Sequence, residues 1–381
     1  MPGAGAACRE IGLATGPFGA PRGVGGGCEV DVSTSDDVAR GVLAAVRAED
    51  EGAFVRLAEH HRKDLRVHCY LMLGSFTDAE EVLDRTLLRA WRARRGFTGH
   101  APFRSWLYRI ATNACLDTAA APARCRREIA IATNGAGEPV RSALAEVPWL
   151  QPLPDTPEDG AAVGRDTLDP TFVAVLQHLP PRQRAALILR DVVHWPAADT
   201  ADTLGMNVAG VKSALQRARR TLREELPDRH PTNRDRPAEP DDAERACLER
   251  YITASRRADP AALAALLHAD ARQAIPPARL VYTGRPAIVE MRRPIPADAP
   301  GHGEREALPL AMNRRPAVGH YVRRPGVGAF TATALDVLRI DNGLITEIIT
   351  FGPELLTTIG LGAIPDVPAA DHECASGVGG R

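Results

Sequence analysis

The chain has no CxxC pair among its seven cysteines, which removes the paired-thiolate spacing of zinc ribbons and thioredoxin-like redox sites. A scattered, odd-numbered set of this kind fits a reducing, cytosolic compartment. No apolar run approaches the roughly 20 residues that span a bilayer, so no membrane partner is expected. The N-terminus has neither a basic n-region nor a continuous apolar h-region, which excludes a secretory signal peptide. A phosphate loop is missing too: Gly23 to Gly27 precede neither a strand-to-helix pattern nor a Lys-Ser/Thr pair. His60, His61, His68 and Cys69 lie on one helix, but only His61 and His68 fall about two turns apart, too far for one ion, so no metal and no cofactor is expected. Finally, neither charge sign is in excess. With 47 Lys and Arg against 48 Asp and Glu, the formal net charge is -1, and any nucleic-acid affinity must come from local patches.

What is present is 381 residues with 44% hydrophobic content, enough for roughly two to four domains. The richest stretch runs from Pro180 to Leu226. Ala198, Ala201 and Leu204 give one apolar face, Gly205 allows a sharp bend, and Asn207 is placed to cap a new helix. Val211, Leu215, Ala218 and Leu222 then recur at helical spacing, so one side of that helix packs inward. The other side carries Lys212, Ser213, Gln216, Arg217, Arg219, Arg220 and Arg223, and no acidic residue lies between Asp202 and Glu224. A DNA duplex needs such a face: cations neutralise phosphates, and Lys, Arg, Gln, Ser and Asn near the helix start reach base edges. A solvated arginine-rich helix would show the same basic run; the turn ahead of it favours DNA.

From Asp36 to Asp117 the pattern is helical. Val42, Val46, Phe54, Leu57 and Ala58 mark one amphipathic segment, and Leu65, His68, Cys69, Met72 and Leu73 a second. Val82, Leu83, Thr86, Leu87, Ala90 and Trp91 mark a third, capped by Thr77 or Asp78. After a break from Gly96 to Pro102, Phe103, Trp106, Leu107, Ile110 and Ala114 form a core stripe, with Arg104, Tyr108, Arg109, Thr112 and Asn113 pointing elsewhere. Aromatics beside arginines and an amide suit the unstacked bases of a single strand. Taken alone, this segment reads more simply as an ordinary helical bundle.

Alternating prolines between Val147 and Asp155 predict an extended, polyproline-like linker. Trp149 and Leu150 there either dock on a partner or the C-terminal domain, or pack on the adjacent helix. Past the polar break at Pro227 to Pro240, Leu248, Tyr251, Ile252, Ala262, Leu263, Leu266 and Leu267 carry helical periodicity as far as Arg272, and strand-like sequence begins at Ile275, Leu280, Val281 and Tyr282. Two β-rich runs from Gly328 to Phe351 flank Asp341-Asn342-Gly343, a strong hairpin signal. Helices followed by strands predict an α+β cone.

These motifs carry a resemblance. Asp78 to Phe97 with Phe103 to Asp117 resembles region 2 of the sigma-70 family, extracytoplasmic-function group, and Pro180 to Leu226 resembles region 4 of the same family. His268 to Pro277, Tyr282 to Ile288, Asn313 to Tyr321 and Val337 to Phe351 are similar to a SnoaL-like domain of the NTF2-like superfamily. The resemblance implies a multidomain chain: a disordered Gly/Ala/Pro-rich stretch at 1–34, an all-α region 2 bundle at 36–125, a linker at 126–170, an all-α helix-turn-helix at 171–227, the α+β cone at 241–366 and a flexible end at 367–381. A start codon assigned too early would give the first stretch the same look.

The implied partners are core RNA polymerase and promoter DNA. Asp78, Glu80, Glu81, Asp84 and Arg85 would face the polymerase clamp; Arg104, Tyr108, Arg109 and Asn113 would hold the −10 strand; Asn207, Lys212, Ser213, Gln216, Arg217 and Arg220 would read the −35 duplex. Two departures stand out. Asp84-Arg85 replaces the family's usual Gln-Glu pair, and the basic cluster after region 2 is thin, returning only at Arg124, Arg126 and Arg127. The implied role of the cone is regulatory, through contact with region 2 or the linker, with a small ligand as a further partner.

Two other classes compete: a ligand-responsive DNA-binding regulator indifferent to polymerase, and an enzyme acting through the cone. The first has no use for Phe103 to Asn113. For the second, His268, Asp270, Arg285, His320 and Tyr321 are candidates by type, but no spacing fixes a dyad, so no catalytic residue is assigned.

Overall fold

In this computed structural model the described residues are 41–45, 49–98, 102–120, 131–156, 164–226, 241–293 and 302–365; the two expected disordered ends, Val46 and the Arg124, Arg126 and Arg127 cluster lie outside them. Among the described residues the first module holds, after a helical stretch at 41–45, the helices α1 (Glu51–Glu59), α2 (Arg62–Leu73), α3 (Phe76–Ala93) and α4 (Phe103–Ala120). Asp50 starts α1 by accepting from the Ala53 N–H at 2.9 Å. Helix α3 is capped by Ser75, earlier than the expected Thr77 or Asp78, because Gly74 (φ 69°) ends α2 in the left-handed region and leaves Ser75 extended. An aromatic cluster closes the module, with Phe54 against Trp91 and Phe103 at centroid distances of 5.4 and 5.7 Å.

The second module follows from α5 (Pro170–His178) through α6 (Pro181–Leu187), which runs into a wider turn at Ile188–Val192, to α7 (Ala197–Leu204) and α8 (Val208–Glu225). Gly205 takes the left-handed conformation (φ 60°) and Asn207 accepts from the Gly210 N–H at 2.7 Å, giving the bend and cap that the sequence calls for. Helix α7 buries Thr200, Ala201, Thr203 and Leu204, while Ala198 of the expected apolar face is exposed.

The third module opens with α9 (Asp242–Arg257) and α10 (Pro260–Leu266). The chain then turns to strand at Leu267, before the expected start at Ile275: β3 (Leu267–Ile275) pairs in parallel with a later strand, and this pairing overrides the helical periodicity read through Arg272. The sheet continues with β4 (Leu280–Thr283), β5 (Glu304–Met312), β6 (Arg315–Arg323), β7 (Ala329–Asp341) and β8 (Leu344–Phe351), with α11 (Arg285–Met291) before β5; short α12 (Glu354–Thr358) and β9 (Ala363–Pro365) finish it. The turn at Asn342 (φ 53°) and Gly343 (φ 73°) joins β7 to β8 as a two-residue hairpin.

The linker does not run free. Two short strands, β1 (Ala132–Asn134) and β2 (Pro139–Val140), form a hairpin whose β1 pairs in parallel with β4, so the sheet order is β2-β1-β4-β3-β8-β7-β6-β5. Beyond it Leu150 and Leu153 are buried, and half-buried Trp149 packs on the same core, one that includes side chains of all three modules. Gln151 accepts from Ser75 Oγ at 2.9 Å and the Thr77 N–H at 3.0 Å. An extended spacer would leave these apolar groups in water; docking removes them, at roughly 25 cal/mol for each Å² covered.

His68 lies in the α2–α4 contact, bonded to Thr112 Oγ1 at 2.9 Å, and burial lowers its pKa from 6.5 to about 4. It therefore stays neutral in the fold, and its share of stability, complete above the unfolded-state value of 6.5, is lost as pH falls towards about 4. Over that window His68→Gln should remove up to about 3 kcal/mol of the pH dependence. Urea unfolding of both proteins between pH 7 and pH 4 checks this, and equal slopes for the two would contradict it.

Candidate nucleic-acid and polymerase interfaces

Helix α8 buries Val211, Ala214, Leu215, Ala218 and Leu222 and leaves Lys212, Ser213, Gln216, Arg217 and Arg220 exposed along one side. Arg217 donates to Ser213 Oγ at 2.7 Å, which aligns two polar groups one turn apart. Arg220 lies 3.4 Å from Glu224, an exposed pair that a phosphate could outcompete. Arg219 behaves differently: its guanidinium makes two bonds to Asp191, at 2.7 and 2.9 Å, and so braces α8 against the end of α6. Arg219 is thus committed to packing, while Arg217 and Arg220 on either side of it remain on the exposed cationic face.

Helix α4 exposes Arg104, Arg109 and Asn113. Tyr108, read as pointing outward, is 2% exposed: its ring packs between His68 and Trp195 at centroid distances of 5.1 and 5.4 Å, and burial pushes its phenol up to about 12. Thr112 is buried as well, while Trp106 and Ile110 of the expected core stripe are only half-buried. The helix is rotated relative to the sequence reading because it meets a second apolar surface, that of the helix-turn-helix module, which periodicity within α4 cannot reveal. Arg104 pairs with Asp64 at 3.2 Å and sits 5.2 Å from the centre of the Tyr108 ring.

That second surface joins the two helical modules. Gln177 Nε2 donates to Leu71 O at 3.2 Å, Arg184 donates to Met72 O, and a Cβ at Gly74 would lie 2.8 Å from the Gln177 carboxamide. Gly74 is thus needed both for its backbone and for this close approach.

On α3, Glu81 and Asp84 are exposed and Asp78, Glu80 and Arg85 are half-buried. Glu80 accepts from Arg66 at 2.6 Å and Asp84 from Arg62 at 2.8 Å, while Arg85 reaches Thr118 on α4 at 2.9 Å. Much of this expected polymerase surface is therefore engaged within the bundle. Leu88 on the same helix is 47% exposed, an apolar surface group that the sequence reading passed over.

The cone grips both helical modules through the β5–β6 turn. Asn313, at φ 53°, accepts from the Leu153 N–H at 2.8 Å and donates to Tyr70 Oη at 2.9 Å and to Leu168 O. Arg315 pairs with Asp169, the cap of α5, and Arg165 pairs with Glu244 at 3.1 Å, each side chain of these two pairs no more than 6% exposed. Among described residues no group of three or more His, Cys, Asp and Glu could hold a metal ion, and no helix is long and apolar enough to cross a membrane.

Inside the cone, Asp336 is surrounded by donors: Tyr251 Oη at 2.7 Å, Arg292 at 3.0 Å, His320 Nε2 at 2.6 Å and Thr350 Oγ1 at 2.6 Å. Burial alone would raise its carboxyl pKa, but the Arg292 and His320 charges and these bonds hold it well below the usual carboxylate range. Of the residues singled out by type, His320 joins this network and Tyr321 lines the same cavity, aided by an irregularity in β6–β7 pairing between them. His268 and Asp270 sit exposed on β3, and Arg285 begins α11. Asp336, Tyr251 and Arg292 were missed; the signal available was an aspartate inside the apolar run of β7.

Family models for sigma-70 region 2, sigma-70 region 4 and a SnoaL-like domain match residues 57–124, 171–222 and 248–348. The chain is 41% identical over 288 residues to the ECF RNA polymerase sigma factor SigG of Mycobacterium tuberculosis, covering 72% of this chain and 75% of that protein. It is 34% identical over 183 residues to SigM of the same species, covering 48% of this chain and 81% of that one. A crystal structure of the M. tuberculosis extracytoplasmic function sigma factor SigJ matches 80% of this chain and 98% of its own, at 21% identity and a TM-score of 0.49. With two helical modules in the family's order, a basic recognition helix and an α+β cone behind them, the chain belongs to the extracytoplasmic-function sigma factors of the sigma-70 family, with a SnoaL-like domain at its C-terminal side.

Proposed function

We propose that this sigma factor works in the cytoplasm as a regulator rather than an enzyme, bringing core RNA polymerase to promoters through two DNA readers, and that the free chain rests closed. Helix α8 reads the −35 duplex with Lys212, Ser213, Gln216, Arg217 and Arg220, and Asn207 fixes its start. Helix α4 holds the −10 strand with Arg104, Arg109 and Asn113, and α3 meets the polymerase through Glu81, Asp84 and Leu88, with Asp78, Glu80 and Arg85 behind them. The observation that carries the reading is the Tyr108–Trp195 contact: the −35 face is open to solvent, whereas an aromatic of the −10 helix is covered by the other DNA-reading module.

A closed chain cannot offer Tyr108 to an unstacked base. Opening must break the Gln177 and Arg184 bonds to α2 and part the Trp195 contact, and polymerase supplies the free energy by binding the open form better. The cone opposes this step by holding Tyr70, Leu153 and Leu168 through Asn313. Its regulatory role is to set the opening cost.

Asn313→Gly keeps the left-handed backbone but removes the side-chain bonds to Leu153, Tyr70 and Leu168 in the closed form only, shifting the balance by about 1 to 3 kcal/mol. In vitro transcription with limiting core polymerase should then rise several-fold from a cognate promoter, and activity equal to wild type would remove the cone from control. For the duplex reader, Arg217→Ala should weaken −35 binding by about 1 to 3 kcal/mol if it contacts a base edge, and Lys212→Ala should chiefly lower the salt dependence. Transcription and duplex binding unaffected by both changes would exclude α8 from promoter recognition.

A further inference from the structure

The cone holds a cavity of about 310 Å³, the size of a small-molecule site, with the His320–Asp336 pair at its base. Most charged side chains of its lining are committed to protein partners. Asp336 has four donors, Arg292 is spent on Gln273, Tyr251 and Asp336, Arg293 pairs with Glu290, Glu306 is held by Arg256 and the Ala307 N–H, and Asp259 caps α10. Among the described lining residues, half-buried Arg305 is the charged side chain left without a bond or ion pair.

His320 supplies a second donor. It lends the Asp336 carboxylate a positive charge as well as the Nε2–H, so both ring nitrogens carry protons, and no described residue accepts from Nδ1. Asp336 balances one of the two cations bonded to it, Arg292 and His320, and Arg305 brings another, which leaves this end of the chamber positive. On the antiparallel β5–β6 pair, Arg305 stands opposite Val322 and Ala307 opposite His320. The two side chains are therefore diagonal neighbours on one face of the sheet, with Cβ atoms about 7 Å apart, a separation that long side chains bridge. Donors this close converge on one anionic group.

A carboxylate fits that pair, because it offers one oxygen to each donor and a single charge to the positive end. A phosphate or sulfate would bring further oxygens, and the other cations of the lining are already spent on protein partners. Away from the donors, Ala254, Leu263, Ile275, Met291 and Ala334 present alkyl surface to the cavity. We infer that the cavity binds a small aliphatic monocarboxylate, its two oxygens shared between Arg305 and the His320 Nδ1–H and its short alkyl body against these walls. Both contact residues lie on the hairpin whose tip, Asn313, holds the helical modules, so ligand and grip share one element.

Calorimetric titration of the full chain with hexanoate, hexanamide and inorganic phosphate tests this without reference to transcription. Saturable one-to-one binding of hexanoate is expected, with hexanamide and phosphate each weaker by about 10-fold or more. Arg305→Gln, which breaks no bond within the protein, should cost hexanoate a similar factor and leave hexanamide unchanged. Arg293→Gln removes a cation already paired with Glu290 and should leave hexanoate affinity as in the wild type; circular dichroism shows whether both variants are folded. No saturable binding of hexanoate, equal binding of hexanamide or phosphate, full affinity in Arg305→Gln, or an equal loss in Arg293→Gln would overturn the assignment.

Discussion

The contact of Trp195 with Tyr108 governs much else in this molecule. It places the end of the α6 segment on α4, turns the expected outer face of α4 inward and fuses the two helical modules into one apolar core. Buried aromatic pairs add about 0.5 to 1.5 kcal/mol beyond their area, so the ring pair alone does not lock the modules. The lock comes from satisfying polar groups around it: the carbonyls at the end of α2 are met by Gln177 and Arg184, and Gly74 lets Gln177 approach. Such bonds cost little to keep and more to leave unmade.

The same logic extends to the cone. Asn313, Arg315 and Arg165 place polar and charged groups in buried junctions, where each is paired. A buried ion pair contributes little net stability but penalises any arrangement that separates its partners inside protein. Junctions of this kind specify one docked geometry and still release into water, where both charges are solvated again. That is the behaviour the proposed opening requires.

Legibility in the sequence followed the range of the interaction. The bend at Gly205, the cap at Asn207, the buried stripe of α8 and the Asn342-Gly343 turn are set by neighbours a few residues apart, and periodicity and turn chemistry reveal them. Tyr108, Thr112 and the linker were misplaced because their partners lie far along the chain: Trp195 for the tyrosine, the β4 edge for the linker hairpin. The strand at Leu267 is another case, since parallel pairing with β8 overrides a helical pattern. Asp336 was overlooked because its donors come from four separate elements that only the closed sheet brings together.

The proposed closure of the free chain, and its proposed release by polymerase, can be measured as a distance. Spin labels at Arg56→Cys on α1 and Glu224→Cys on α8, both exposed positions, with Cys8, Cys28, Cys125 and Cys374 replaced by serine, report the separation of the two helical modules by pulsed electron paramagnetic resonance. The free protein should give one narrow distribution at the closed distance, and the holoenzyme a longer one with the closed peak gone. The same distribution in both states would contradict the account.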